Sequence, residues 1–158
     1  MRFSFVIFFF GLISFSCEEQ FGNEKNELPQ KIVDSSNELF PGKLIEQTSF
    51  ILDGVDVWKI KIENESGSVV SFYWQKSYNL LFMIEGERGP FNYELMPPLG
   101  VLILSTAKFL AFESYSEEVL TSWKLKRNDS YKNRWVYLFY LNHTESPIMI
   151  DAVSGDVL

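Results

Sequence analysis

Trp58-Lys59-Ile60-Lys61-Ile62-Glu63 alternates apolar and charged residues one for one. Successive side chains of a strand point to opposite faces, so this run buries one face and wets the other. A helix would scatter the same residues around its whole circumference. The two-residue period returns in Val70-Ser71-Phe72-Tyr73-Trp74-Gln75 and in Trp123-Lys124-Leu125-Lys126. The aromatic run "RWVYLFYL" (134–141) and the closing "IMIDAVSGDVL" are strand chemistry as well. Turn signals separate the runs: Asp53-Gly54, "NESG" (64–67), "KSYN" (76–79), "NDSYKN" (128–133) and "NHTESP" (142–147). Asp-Gly between two such runs is the strongest short hairpin signal, because both turn positions tolerate positive φ. The chain is therefore expected to build antiparallel sheet.

Two stretches follow a helical period instead. In "LPQKIVDSSNELFPG" (28–42), Ile32, Val33, Ser36 and Leu39 or Phe40 share one face. Pro29 sits near the start and Pro41-Gly42 ends the segment. "VLILSTAKFLAFESY" (101–115) is apolar nearly all round and reads as a helix buried on more than one side. Helix then strands, twice over, predicts an α+β fold of two tandem helix-plus-antiparallel-sheet units. The first spans 29–84 and closes a four-stranded meander with Leu80–Ile84. The second spans 101–158. "EGERGPFNYELMPPLG" (85–100), with its prolines and glycines, reads as the connection between them. Its Phe91, Tyr93, Leu95 and Met96 either pack across the joint or form a binding loop.

The first residues are of another kind. After Arg2, an apolar run from Phe3 to Phe15 is too short to span a bilayer comfortably and suits a secretory signal. Cys17 follows it and is the only cysteine, which rules out an intramolecular disulfide. This arrangement resembles the bacterial lipoproteins. The resemblance implies a signal peptide over 1–16, acyl chains on Cys17, and an acidic tether over 17–28. It also implies a lipid-anchored place in the bacterial cell envelope. The net charge of −7, with no basic stripe, argues against nucleic acid as a partner.

The C-terminal residues Ile148, Met149, Ile150, Asp151, Ala152, Gly155, Val157 and Leu158 resemble the close of the PepSY domain. "WKLKRND" and "RWVYLFYL" ahead of them fit the same domain's paired strands. "LFPGKLIEQTSF" in the first half is similar to PepSY-like domains related to β-lactamase-inhibitor proteins. The resemblance implies a sheet packed on a helix and a non-catalytic role. Such domains occur in peptidase propeptides, where inhibition or chaperoning is proposed, and as stand-alone envelope proteins.

The residues themselves point to binding rather than catalysis. His143 is the sole histidine and lies in a turn-like segment, with no serine and acid set around it. No metal-ligand spacing and no phosphate loop is present, so no metal or cofactor is expected. Asp151 is expected on the exposed face of the last strand, with Ser154-Gly155-Asp156 as a tight turn. Most aromatics are expected in the core. The candidates for partner contact are Tyr73, Trp74, Tyr78, Phe91 and Tyr93, with Cys17 for lipidation. The expected function is a protein-binding module acting on a peptidase or other envelope component; a surface adhesin is the alternative.

Overall fold

The computed structural model describes residues 28–113 and 119–158. The signal-like run, Cys17 and most of the acidic tether lie outside the described residues, as does the end of the second expected helix. Helix α1 (Gln30–Leu39) leads into strands β1 (Lys43–Leu52), β2 (Val55–Glu63), β3 (Val69–Gln75) and β4 (Leu80–Arg88). Helix α2 (Leu104–Phe112) precedes β5 (Leu120–Asn128), a 3-10 turn at Asp129–Tyr131, β6 (Arg134–Leu141) and β7 (Ile148–Asp151).

All the strands belong to one seven-stranded antiparallel sheet in the order β1-β2-β3-β4-β5-β6-β7. This corrects the expectation of two tandem helix-plus-sheet units. The fold is α+β, but β4 pairs directly with β5, matching Met83 with Lys126 and Gly86 with Trp123. The two meanders are thereby one surface. The boundary at residue 84 moves too. "EGER" continues β4 to Arg88, with Glu85 and Glu87 as strand residues. Gly86 looks like a break in sequence, yet it marks a close approach. A Cβ there would stand 2.1 Å from Nε1 of Trp123.

Both helices lie on one face. Trp58, Ile60 and Ile62 of β2, Phe72 and Trp74 of β3, Trp123 and Leu125 of β5, and Tyr137 and Phe139 of β6 form the core beneath them. The buried aromatic tips find partners, as they must in an apolar interior. Nε1 of Trp74 donates to Oγ of Ser36 (3.0 Å), which explains a buried serine on α1. Nε1 of Trp123 donates to the Tyr93 hydroxyl (3.0 Å), and the Tyr137 hydroxyl donates to the Leu102 carbonyl (2.8 Å). The segment after β4 packs inward: Tyr93 meets the Phe40 ring edge-on at 4.9 Å, and Leu95 is buried. The stretch from 89 to 100 thus covers the sheet between the helices.

Helix α2 buries Leu104, Ala107 and Ala111, while Phe109 is 71% exposed. It is covered along one side, not on several as its composition suggests. Asp151 is also not where the alternation puts it. It is buried, and its carboxylate accepts from the amides of Val153 (2.9 Å) and Ser154 (3.0 Å) and pairs with Arg134 (3.1 Å). Those hydrogen bonds hold its pKa below the usual carboxylate range. Asp151 is the pin of the closing turn, an Asx-type role.

Candidate functional site

Among the described residues, the opposite face of the sheet carries no helix. Its side chains come from the wet half of each alternation, and they interlock. Glu87 on β4 accepts from Lys59 and Lys61 of β2 and from Ser71 of β3, the last two at 3.0 and 2.7 Å. Lys61 reaches on to Glu46 of β1 (3.1 Å). Glu85, two residues before Glu87, accepts from the Tyr73 hydroxyl (2.7 Å) and pairs with Lys124 of β5 (3.1 Å). The lattice runs from β1 to β5 and crosses the β4–β5 joint. Lys59 also lies over the Tyr73 ring, and Lys124 over the Tyr140 ring.

The lattice sets its own electrostatics. Burial alone would raise the Glu87 pKa, but the hydrogen bonds from Lys59, Ser71 and Lys61 outweigh it and bring it to about 2. The hydrogen bond to Glu87 raises Lys61 above its ordinary value, against its partial burial. Burial, and then the bond to Glu85, raises Tyr73. A depressed carboxylate stabilises the fold above its unfolded pKa of 4.5, and that stability is lost as pH falls through the folded value near 2. A raised lysine stabilises below its unfolded pKa of 10.5 and loses this as pH rises through the folded value above that. The urea midpoint should therefore be level through neutral pH and fall below pH 4.5. At this partly solvated site the Glu87 contribution is about 1–2 kcal/mol, discounted for screening. Glu87→Gln should make that acid-side fall shallower, with Asp151 carrying part of what remains; an unchanged acid limb would contradict the role given to Glu87.

At the end of this face where the β1–β2, β3–β4 and β5–β6 turns gather, the sheet encloses a trough of about 720 Å³. One wall is mostly apolar, from Leu52 and Val55, and the floor holds Leu80, Phe82 and Met83. The other wall is polar and of mixed charge, with Lys126 and Asp129 beside Asn128, Ser130 and Asn133. Lys126 makes no ion pair among the described residues. The Arg127 side chain turns to the other face of the strand, where it is held by the Asn133 carbonyl (3.3 Å) and lies over the Trp135 ring of the helix-side core. An apolar side chain could be received here, with polar groups beside it against Lys126 and Asp129.

The residues singled out from sequence separate across the molecule. Tyr73 is on the open face, tied into the lattice. Trp74 faces the helices and is bonded to Ser36, and Tyr93 is in the same core. Phe91 is partly buried against that core, and its carbonyl accepts from Lys108 of α2. Tyr78 is 76% exposed in the β3–β4 turn, between Gln75 and Leu80 of the trough. Cys17 lies outside the described residues. Sequence reasoning missed Glu85 and Glu87, read as loop, and the polar wall with Lys126, read as strand and turn. The signal available was "KLKRN" beside a turn in a chain otherwise acidic. His143 is exposed in the β6–β7 turn.

Among the described residues, no group of three or more His, Cys, Asp or Glu side chains is placed to hold a metal ion. Among them, too, no helix is long and apolar enough to cross a membrane. No protein-family model matches the chain, and no curated protein does. Among solved structures, the chain is similar to a protein of Clostridium difficile 630 provisionally named a lipoprotein. The identity is 9% and the TM-score 0.36, over 81% of this chain and 87% of that one. The PepSY resemblance therefore rests on the residues of this chain alone.

Proposed function

We propose that the chain is a lipid-anchored protein of the bacterial cell envelope that acts without catalysis, by docking a segment of a partner protein in the trough of its open sheet face. Cys17 carries the anchor in this reading, and a peptidase or another envelope protein is the partner. The observation that supports docking is the trough itself: an apolar wall and floor facing a polar wall with Lys126 and Asp129. Interfaces draw their energy from a desolvated apolar anchor with polar contacts around it. The lattice under the trough holds Lys124, Tyr73 and Glu85 in place before any partner arrives, which lowers the ordering cost of binding.

The test uses the full chain in its native membrane. A photoreactive residue replaces Phe82 or Tyr140 at the trough, or Phe109 on the helix side as control. The expected result is one discrete protein adduct from the trough positions and none from Phe109. An adduct from Phe109 with none from the trough would overturn the docking surface. Metabolic labelling with palmitate, lost in Cys17→Ala, tests the anchor separately; an unlabelled wild type would overturn it.

A further inference from the structure

The two faces of the molecule end in opposite chemistry. On the open face, Lys59, Lys61, Glu85, Glu87 and Lys124 are charged side chains that interlock. On the helix side, the thirteen residues from Leu95 to Ala107 carry no charge, the longest uncharged run after Cys17. They lead from the end of α1, where the Met96 amide donates to the Leu39 carbonyl (3.0 Å), into α2. Met96 is 67% exposed. Leu99 stands at the tip of a turn that the Val101 amide closes onto the Pro98 carbonyl (3.1 Å), with Gly100 at a φ of 81°. The Leu99 side chain is fully exposed. Ile103 is exposed as well, and Phe109 projects from the side of α2 opposite Leu104, Ala107 and Ala111.

We infer that this apolar ridge of Met96, Leu99, Ile103 and Phe109 rests in the surface of the lipid bilayer that holds the chain's anchor. The inference rests on the anchor at Cys17 and is independent of what the trough binds. Its first support is the length of chain before the described body and where that chain ends. Residues 18–28 alone separate Cys17 from α1, a reach of at most about 40 Å at full extension. They deliver the chain to the helix side, where Leu28 packs against the core beneath α1 and α2. A body held so close meets its own bilayer at a high effective concentration, which a free partner protein lacks.

The second support is the cost of leaving water. Laying the open face on lipid would desolvate its charged lattice, whereas the run from Leu95 to Ala107 has no charge to desolvate. The third is shape. A fully exposed leucine at a turn tip needs a matching pocket in a rigid partner, but none in a fluid. Apolar side chains of this kind bury roughly 5–10 Å into the boundary between headgroups and acyl chains. With the ridge down, the open face and its trough point away from the bilayer.

The experiment places an environment-sensitive fluorophore on Leu99→Cys, on Phe109→Cys, or on Tyr78→Cys as control. Tyr78 is exposed to the same degree as Phe109 but sits at the trough end of the open face. Cys17 is the only native cysteine and is acylated in this reading, so the introduced thiol alone takes the label. The acylated full chain is reconstituted into phosphatidylcholine vesicles, which are zwitterionic and do not repel a chain of net charge −7. Emission from positions 99 and 109 should shift to shorter wavelength and be quenched by nitroxides carried on the lipid acyl chains. Emission from position 78 should do neither. Protein that floats with the vesicles while 99 and 109 stay unquenched keeps its anchor and overturns the ridge contact. A shift at 99 and 109 without quenching would put a second copy of the chain on the ridge, and overturns it too. Protein that fails to float overturns the anchor, and this inference with it.

Discussion

Trp123→Ala should lower the stability of the whole chain by about 3–5 kcal/mol, the cost of emptying a large buried aromatic site. Trp123 is fully buried on β5. Its ring lies across Gly86 of β4, packs near the Tyr137 ring of β6 at 6.1 Å, and donates to Tyr93 of the inter-helix segment. Removing it also leaves the Tyr93 hydroxyl without its Trp123 donor. The form of the loss matters as much as its size. In one continuous sheet, tryptophan fluorescence and far-ultraviolet circular dichroism should give a single, coincident urea transition at a lower midpoint. A biphasic transition, with one half of the chain unfolding at the wild-type midpoint, would show that the halves fold separately.

Gly86→Ala should cost about 3 kcal/mol, the upper part of the range for overpacking a filled core. The added methyl would meet Nε1 of Trp123 at 2.1 Å and the ring carbons at 2.6 Å. Neither the ring nor the strand can yield freely, because both belong to the paired β4–β5 joint. The argument is steric, so a smaller partner should relieve it. In a double-mutant cycle, Trp123→Phe should recover part of the Gly86→Ala loss, a coupling of about 1 kcal/mol or more for residues in contact. Strictly additive losses in urea unfolding would mean that the two positions do not touch.

These two residues also show where the sequence stops being readable. The alternation of Trp58, Ile60 and Ile62 with Lys59, Lys61 and Glu63 correctly sorts buried from wet, because side-chain period is a local property. Asp53-Gly54 makes its turn, with φ of 51° and 80°. The spacing of Ile32, Ser36 and Phe40 places one face of α1 on the sheet. Strand partners beyond a hairpin are a different matter. Nothing local says that β4 continues into β5 rather than ending a sheet. The one clue, Gly86, was ambiguous: a glycine in a strand run signals either a break or a backbone against which a large side chain must lie. Read as a break, it hid Glu85 and Glu87, which anchor the lattice. Asp151 went astray for a related reason. Alternation puts it on the wet face, but the amides of the following turn enclose it.

The trough depends on the same joint. Its apolar wall and floor come from β1 to β4 and its polar wall from β5 and the turn after it. Amide hydrogen exchange across the joint is the most direct measurement of the whole account. The amides of Met83–Gly86 and Trp123–Lys126 that bond across the joint should exchange slowly, with the same opening free energy as those of β3 and β6. Rapid exchange at the joint, with β3 and β6 still protected, would mean two sheets side by side and no fixed trough between them.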